Sequence, residues 1–336
     1  MPFVRNCTAA LLALLTAAAT AGAQQKPRNP TDTDVMIPGL GFNLAATITP
    51  PAGAATKGVR HPAVILVPGS GPVDRDETVA GIPIFAQLAG TLAEQGYLVV
   101  RYDKRGVGKS GGRDERATIE DYAGDALSIY TWLKKRKDVD KKRINIAGHS
   151  EGGAVAMIAG ARQENLAAMV LIAAPGTQGA DLILEQQRHV LGVMNVSEEE
   201  RQAKIDLQQK IQLAVMTGVG WDGIPEEMRK RADSPWFKSL LEFDPAKWMP
   251  RVKQPVLIIQ GALDTQVPPH HADKLEALAG QRKKKPPVEV LRLPAVNHLL
   301  VRAETGEVTE YGTLKEKTIV PAVAAKIAEF LRRAPS

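Results

Sequence analysis

The sequence predicts an α/β fold: a mostly parallel sheet flanked by helices and interrupted by a helical insertion. Three observations carry this. From His61 onward, short apolar runs alternate with helix-spaced segments. The run Ala63-Val64-Ile65-Leu66-Val67 is continuously apolar, as a strand buried on both faces requires. Between Pro175 and Pro250 there is helical patterning and charge but no strand signal.

Taken in order, residues 24–60 read as a linker followed by an antiparallel hairpin through Phe42 to Ile48. A helix is expected over Ile84 to Gln95 and a strand over Tyr97 to Tyr102. Ile119 to Arg136 is expected to be helical, because Ile119, Tyr122, Ala123, Ala126, Leu127, Tyr130 and Leu133 share one face. Strands follow at Ile144 to Ala147, Ala168 to Ala173, Val256 to Gln260 and Val288 to Leu293. An amphipathic helix closes the chain from Thr318 to Arg332. The core therefore comes in two parts, residues 61–175 and 251–336, around a cap at 176–250.

The chain has 336 residues and is 44% hydrophobic, enough for one large α/β domain with an insertion. Residues 1–23 are expected to be a secretory signal peptide. Arg5 supplies the positive start, Leu11-Leu12-Ala13-Leu14-Leu15 the apolar stretch, and Ala21-Gly22-Ala23 the cleavage site. The expected location is periplasmic or secreted. The single cysteine, Cys7, lies in this leader, so a chain cut near Ala23 has no disulfide, thiol nucleophile or thiolate metal site. No later stretch is apolar enough to span a membrane. The formal net charge is +6, and loss of Arg5 lowers it to +5. Two basic runs, Lys134-Lys135-Arg136-Lys137 with Lys141-Lys142-Arg143, and Arg282-Lys283-Lys284-Lys285, are read as solvated helix ends and loops. No aromatic residues interleave with them as nucleic-acid stacking platforms.

The most informative segment is Gly148-His149-Ser150-Glu151-Gly152, a G-x-S-x-G between the apolar run Ile144-Asn145-Ile146-Ala147 and an Ala/Gly-rich helix. A serine on so tight a strand-to-helix turn has strained backbone angles, and its hydroxyl stands clear of the sheet. Serine at neutral pH needs a base oriented by a carboxylate. Asp264 follows the strand ending at Gln260, and His298 follows the strand ending at Leu293, so both are expected beside Ser150 on one sheet edge. Asp181 is the alternative acid. His61, His189, His270 and His271 fit worse as the base, and the last two are expected at the surface of a helix. The turn Val67-Pro68-Gly69-Ser70-Gly71-Pro72 follows the first core strand, and the amides of Ser70 and Glu151 are the expected oxyanion donors. Gly106-Val107-Gly108-Lys109-Ser110 is no phosphate-binding loop, because Asp103 stands where that motif needs glycine. Its segment is read as a loop held by an ion pair of Asp103 or Arg105. No metal-ligand spacing is present, and no cofactor is expected.

These pieces resemble the α/β-hydrolase superfamily, and within it secreted esterases related to serine aminopeptidases. The resemblance rests on Pro68-Gly69-Ser70-Gly71-Pro72 with Asp74-Arg75-Asp76, the Asp103 to Ser110 segment, Gly148 to Gly153, Gly261-Ala262-Leu263-Asp264, and Asn297-His298. It implies Ser150 as nucleophile, Asp264 as acid, His298 as base, and a helical cap at the insertion. The expected activity is serine carboxylesterase action on small or medium acyl or aryl esters. Trp221, Trp236, Phe237 and Trp248 of the cap are expected to line the substrate pocket. An aminopeptidase or amidase with the same triad is the alternative, with Glu198, Glu199, Glu226 or Glu227 available to hold an amine. A non-catalytic binding protein on this scaffold is a third.

Overall fold

The structure, a computed structural model, describes residues 29–53 and 58–334. The expected signal peptide lies outside the described residues. Eight strands form one sheet: β1 (Thr33–Pro38), β2 (Asn43–Thr49), β3 (His61–Val67), β4 (Leu98–Tyr102), β5 (Val139–His149), β6 (Met169–Ile172), β7 (Val256–Gly261) and β8 (Val288–Leu293). Their order is β1-β2-β4-β3-β5-β6-β7-β8. β1 and β2 pair antiparallel, and β2 runs antiparallel to β4. From β4 to β8 every pairing is parallel.

Side chains alternate across this sheet with period two. Ile65, Val100, Ile146, Leu171 and Ile258 join the core beneath α2 (Ile119–Leu133), α3 (Glu151–Arg162) and α9 (His270–Gly280). Val64, Leu66, Val99, Val170 and Leu257 join the core beneath α1 (Ile84–Glu94) and α10 (Pro321–Arg333). Apolar demand on both faces is why the central strands read as unbroken hydrophobic runs.

Between β6 and β7 the chain forms only helices: α4 (Gly179–Val193), α5 (Glu198–Thr217), α6 (Glu226–Ala232), α7 (Pro235–Glu242) and α8 (Pro245–Trp248). α7 packs so closely on α4 that a Cβ on Gly179 would lie 1.7 Å from the Leu240 carbonyl oxygen. It also docks on the core, where Ser239 Oγ accepts the Ile119 N–H at 3.0 Å. No helix among the described residues is long and apolar enough to cross a membrane.

The basic runs depart from expectation in two places. Lys141 to Arg143 lie inside β5 rather than in a loop before it. Arg282 is not solvated: it is buried, and its guanidinium donates to the carbonyls of Ala279, Val252, Gln254 and Pro286. Burial without a facing carboxylate lowers its pKa to about 10. Its role is to satisfy the backbone where α9 turns toward β8. Arg282→Ala strands these carbonyls and is expected to cost about 2–4 kcal/mol in urea unfolding, whereas Lys284→Ala changes stability by less than about 0.5 kcal/mol.

Candidate active site

The turn from β5 into α3 brings three backbones together. A Cβ on Gly148 would lie 1.9 Å from the Gly152 carbonyl oxygen, and one on Gly152 would lie 2.1 Å from that of Val67. Between them Ser150 has φ +55°, a strained angle for a residue with a side chain. Ser150 opens onto a cavity of about 110 Å³ whose walls include Val73, Val79, Leu182, Ile183, Leu240 and His298.

His298 and Asp264 meet as their places in the sequence imply. Nδ1 of His298 donates to Asp264 Oδ2 at 2.8 Å, which leaves Nε2 as the acceptor atom of the ring. The carboxylate is itself fixed. Oδ2 also accepts from Gln260 Nε2 at 3.1 Å, and Oδ1 accepts the amides of Gln266 and Val267 at 3.0 and 2.8 Å. Asp181 lies exposed in the first turn of α4 and is not among the residues lining this cavity.

A second acid–imidazole pair, invisible to the sequence reading, stands behind the first. His149 Nδ1 donates to Glu77 Oε1 at 3.0 Å, and its Nε2 donates to the His298 carbonyl at 2.9 Å. Burial disfavours charge on this imidazole, but the Glu77 carboxylate beside it prevails and holds its pKa above the ordinary value. Glu77 Oε1 also accepts the Gly69 N–H at 2.6 Å, while its Oε2 is buried without a partner. The cluster Asp74-Arg75-Asp76-Glu77, four charges just after a turn assigned to the site, was the available signal.

Glu151 is the other hub. Its buried carboxylate accepts from Lys104 Nζ at 2.9 Å, from the Ser70 hydroxyl at 3.1 Å and from the Trp236 indole at 2.7 Å. Around Lys104 both flanking residues are paired: Asp103 with Arg75, and Arg105 with Asp125.

The aromatic residues of the cap lie away from the cavity beside Ser150, and Trp236 borders a separate cavity with Gly71, Pro72 and Lys104. None of Trp221, Trp236, Phe237 and Trp248 lines the cavity beside Ser150, whose apolar side is built of aliphatic side chains. Trp236 is turned toward Glu151 because its indole N–H finds a buried acceptor there. Phe237 is buried in the core, Trp221 lies against Arg229, and Trp248 lies between Arg162 and Arg251. The cap carboxylates Glu198, Glu199, Glu226 and Glu227 are all exposed, and none lines the cavity.

His271 is buried rather than at the surface. With Glu185 and His270 it forms a trio whose spacing could suit a metal among the described residues. The hydrogen bonds argue otherwise. His271 Nδ1 accepts the Gly176 N–H at 2.9 Å, so in the neutral ring Nε2 carries the proton that faces Glu185 Oε2 at 3.0 Å. A metal at Nε2 would have to displace it. Burial, the main influence, lowers the His271 pKa, in keeping with a neutral ring. The trio ties α4 to α9, as Gln186 to the Gln266 carbonyl and His189 to Glu307 tie α4 to the neighbouring loops.

The sequence profile of the family described as serine aminopeptidase, S33, matches residues 82–289. The chain belongs to this family. Among relatives of this serine aminopeptidase family member, Esterase EstD of Thermotoga maritima is 28% identical over 306 residues, 91% of this chain and 68% of that protein. The human serine hydrolase BPHL is 27% identical over 218 residues, 63% of this chain and 66% of that one. The Pyrococcus furiosus esterase Pf2001 superposes with a TM-score of 0.57 at 17% identity, over 94% of this chain and 100% of that one. At that identity the likeness establishes the fold, which is that of an α/β-hydrolase.

Two predictions follow from the packing. Gly152→Ala must push apart β3 and α3 and is expected to cost more than about 3 kcal/mol in urea unfolding, or to prevent folding. Gly192→Ala, where a Cβ meets nothing within 4 Å, is expected to stabilise α4 by about 0.5–1 kcal/mol. The loop packed on the Asp264 turn supplies another. Glu310 accepts the N–H groups of Glu304, Thr305 and Gly306 together with the Thr305 hydroxyl. The Glu304 N–H and then the Thr305 hydroxyl lead in lowering its pKa from 4.5 to about 2. A depressed carboxylate stabilises the fold above its unfolded value and loses that effect as pH falls through the folded one. Glu310→Ala should therefore lower the melting temperature at pH 7, with the deficit shrinking between pH 4.5 and 2.

Proposed function

We propose that this α/β-hydrolase is a serine carboxylesterase acting on small to medium acyl esters through an acyl-enzyme. The observation that carries this is the Asp264–His298 bond at 2.8 Å, with His298 and Ser150 lining one cavity. Esterase EstD, similar along most of this chain, supports it.

His298 Nε2 takes the Ser150 proton as Oγ attacks the ester carbonyl, and Asp264 stabilises the imidazolium. The Ser70 and Glu151 amides receive the oxyanion; losing one such donor costs about 10²- to 10³-fold in rate. Collapse of the tetrahedral intermediate breaks the bond to the alkoxy oxygen, which leaves as the alcohol with the proton from His298. Water, deprotonated by the same imidazole, attacks the acyl-enzyme, and the acid departs as Ser150 recovers its proton. The aliphatic walls accept a hydrocarbon acyl group by burying its apolar surface. The amide-cleaving alternative gains no support from the cap, whose Glu198, Glu199, Glu226 and Glu227 face solvent, while the carboxylates that line the cavity, Glu77 and Glu151, are engaged by His149 and Lys104.

The test is hydrolysis of p-nitrophenyl esters from acetate to decanoate by the wild type and Ser150→Ala. The expected result is a maximum among the short chains and a loss of at least about 10³-fold in kcat in the variant. Equal rates in the two proteins would refute the assignment of Ser150. Faster cleavage of aminoacyl-anilides than of esters would favour the peptidase reading.

A further inference from the structure

Gly69 is held by both of its backbone groups. Its N–H donates to Glu77 Oε1 at 2.6 Å, and its carbonyl accepts from Lys104 Nζ at 3.0 Å. Lys104 reaches this point from the end of β4. It is 4% exposed, with its ammonium 2.9 Å from Glu151 Oε1 and 4.2 Å from the centre of the Tyr122 ring.

The Gly69–Ser70 peptide is planar and trans, so its carbonyl and its N–H point in opposite directions. A cation that fixes the Gly69 carbonyl on one side therefore fixes the Ser70 N–H on the other. The Gly69 amide is already committed to Glu77, whereas no protein acceptor takes the Ser70 amide among the described residues. Rotation of this peptide by half a turn changes ψ at Gly69 and φ at Ser70. Without a Cβ at 69 the first change is cheap, so the Ser70 side chain and the Lys104 contact are what oppose it. The rotated form would turn a carbonyl oxygen where the Ser70 donor belongs, and repulsion would replace attraction at the developing oxyanion.

We infer that Lys104 is a positioning residue for the oxyanion site, setting the direction of the Ser70 amide through the rigid Gly69–Ser70 peptide. The inference rests on the acyl-enzyme reading. The ammonium also polarises the peptide it holds, which strengthens the N–H as a donor. Glu151 keeps Lys104 in place, and Trp236 keeps Glu151 in place, so the chain of contacts from cap to oxyanion site is continuous.

The experiment compares the wild type with Lys104→Met and with the double variant Lys104→Met/Glu151→Gln, which removes the carboxylate that the single change strands. Folding is checked by circular dichroism and melting temperature. The readouts are kcat and KM for p-nitrophenyl butyrate and the inhibition constant of n-butylboronic acid, whose serine adduct places a charged oxygen at the oxyanion position. Both variants are expected to lose about 10- to 100-fold in kcat, with a matching loss of boronate affinity. KM should stay within about 3-fold, a split that general loosening of the fold does not produce. A folded double variant that keeps kcat and boronate affinity within about twofold overturns the inference and leaves the esterase reading standing. A loss confined to KM overturns it as well. A Ser150→Ala protein as active as the wild type overturns both.

Discussion

The carboxyl edge of the sheet depends on what two glycines omit. A Cβ at Gly148 or Gly152 would sit inside the backbone of the facing segment, so only their absence lets β3, β5 and α3 close around Ser150. The strain this creates is not isolated. Glu77, Ala173, Ala295 and Leu300, all near strand ends or loops on this edge, share positive φ angles with Ser150. Such angles each cost of order 1–3 kcal/mol and persist only where surrounding packing overrules them. Two apolar cores, one on each face of the sheet, supply that packing.

Buried charge does the rest of the positioning. After β4, three consecutive side chains each go to a different partner: Asp103 to Arg75, Lys104 to Glu151 and Arg105 to Asp125. Just before them Arg101 bridges Asp32 and Asp76. Pairs of this kind add little net stability, because desolvation offsets most of the attraction. Removing one member is costly, however, so each fixes the geometry of the backbone that carries it. This is how a short, turn-rich segment is held rigid beside a flexible glycine.

Much of this was legible in the sequence. Strand positions follow from apolar runs, because a sheet covered on both faces leaves a local and continuous signature, and the run Ala63 to Val67 lies within β3. Ser150, Asp264 and His298 could be named because each sits a few residues past a strand end. The network of Glu77, His149, Lys104 and Glu151 could not, since its contacts span between 47 and 72 residues of chain and depend on side-chain directions. The direction in which the tryptophans face was not legible for a related reason. Composition says that a large ring will be buried, but whether it faces a cavity or a carboxylate is decided by what the opposite element offers. For Trp236 that was Glu151.

The stitching of α4 has a consequence for how selectivity can change. Glu185, Gln186 and His189 bind this one helix to the segments that follow Asp264 and His298, while Leu182 and Ile183 of the same helix wall the cavity. A substitution at Leu182 or Ile183 thus reshapes the doorway without touching the hinges. A graft of a foreign cap would have to reproduce three separate seams before its new doorway could be tried at all. Descendants of this chain can explore new substrates by small steps along one helix face, but wholesale exchange of the cap is a far steeper path.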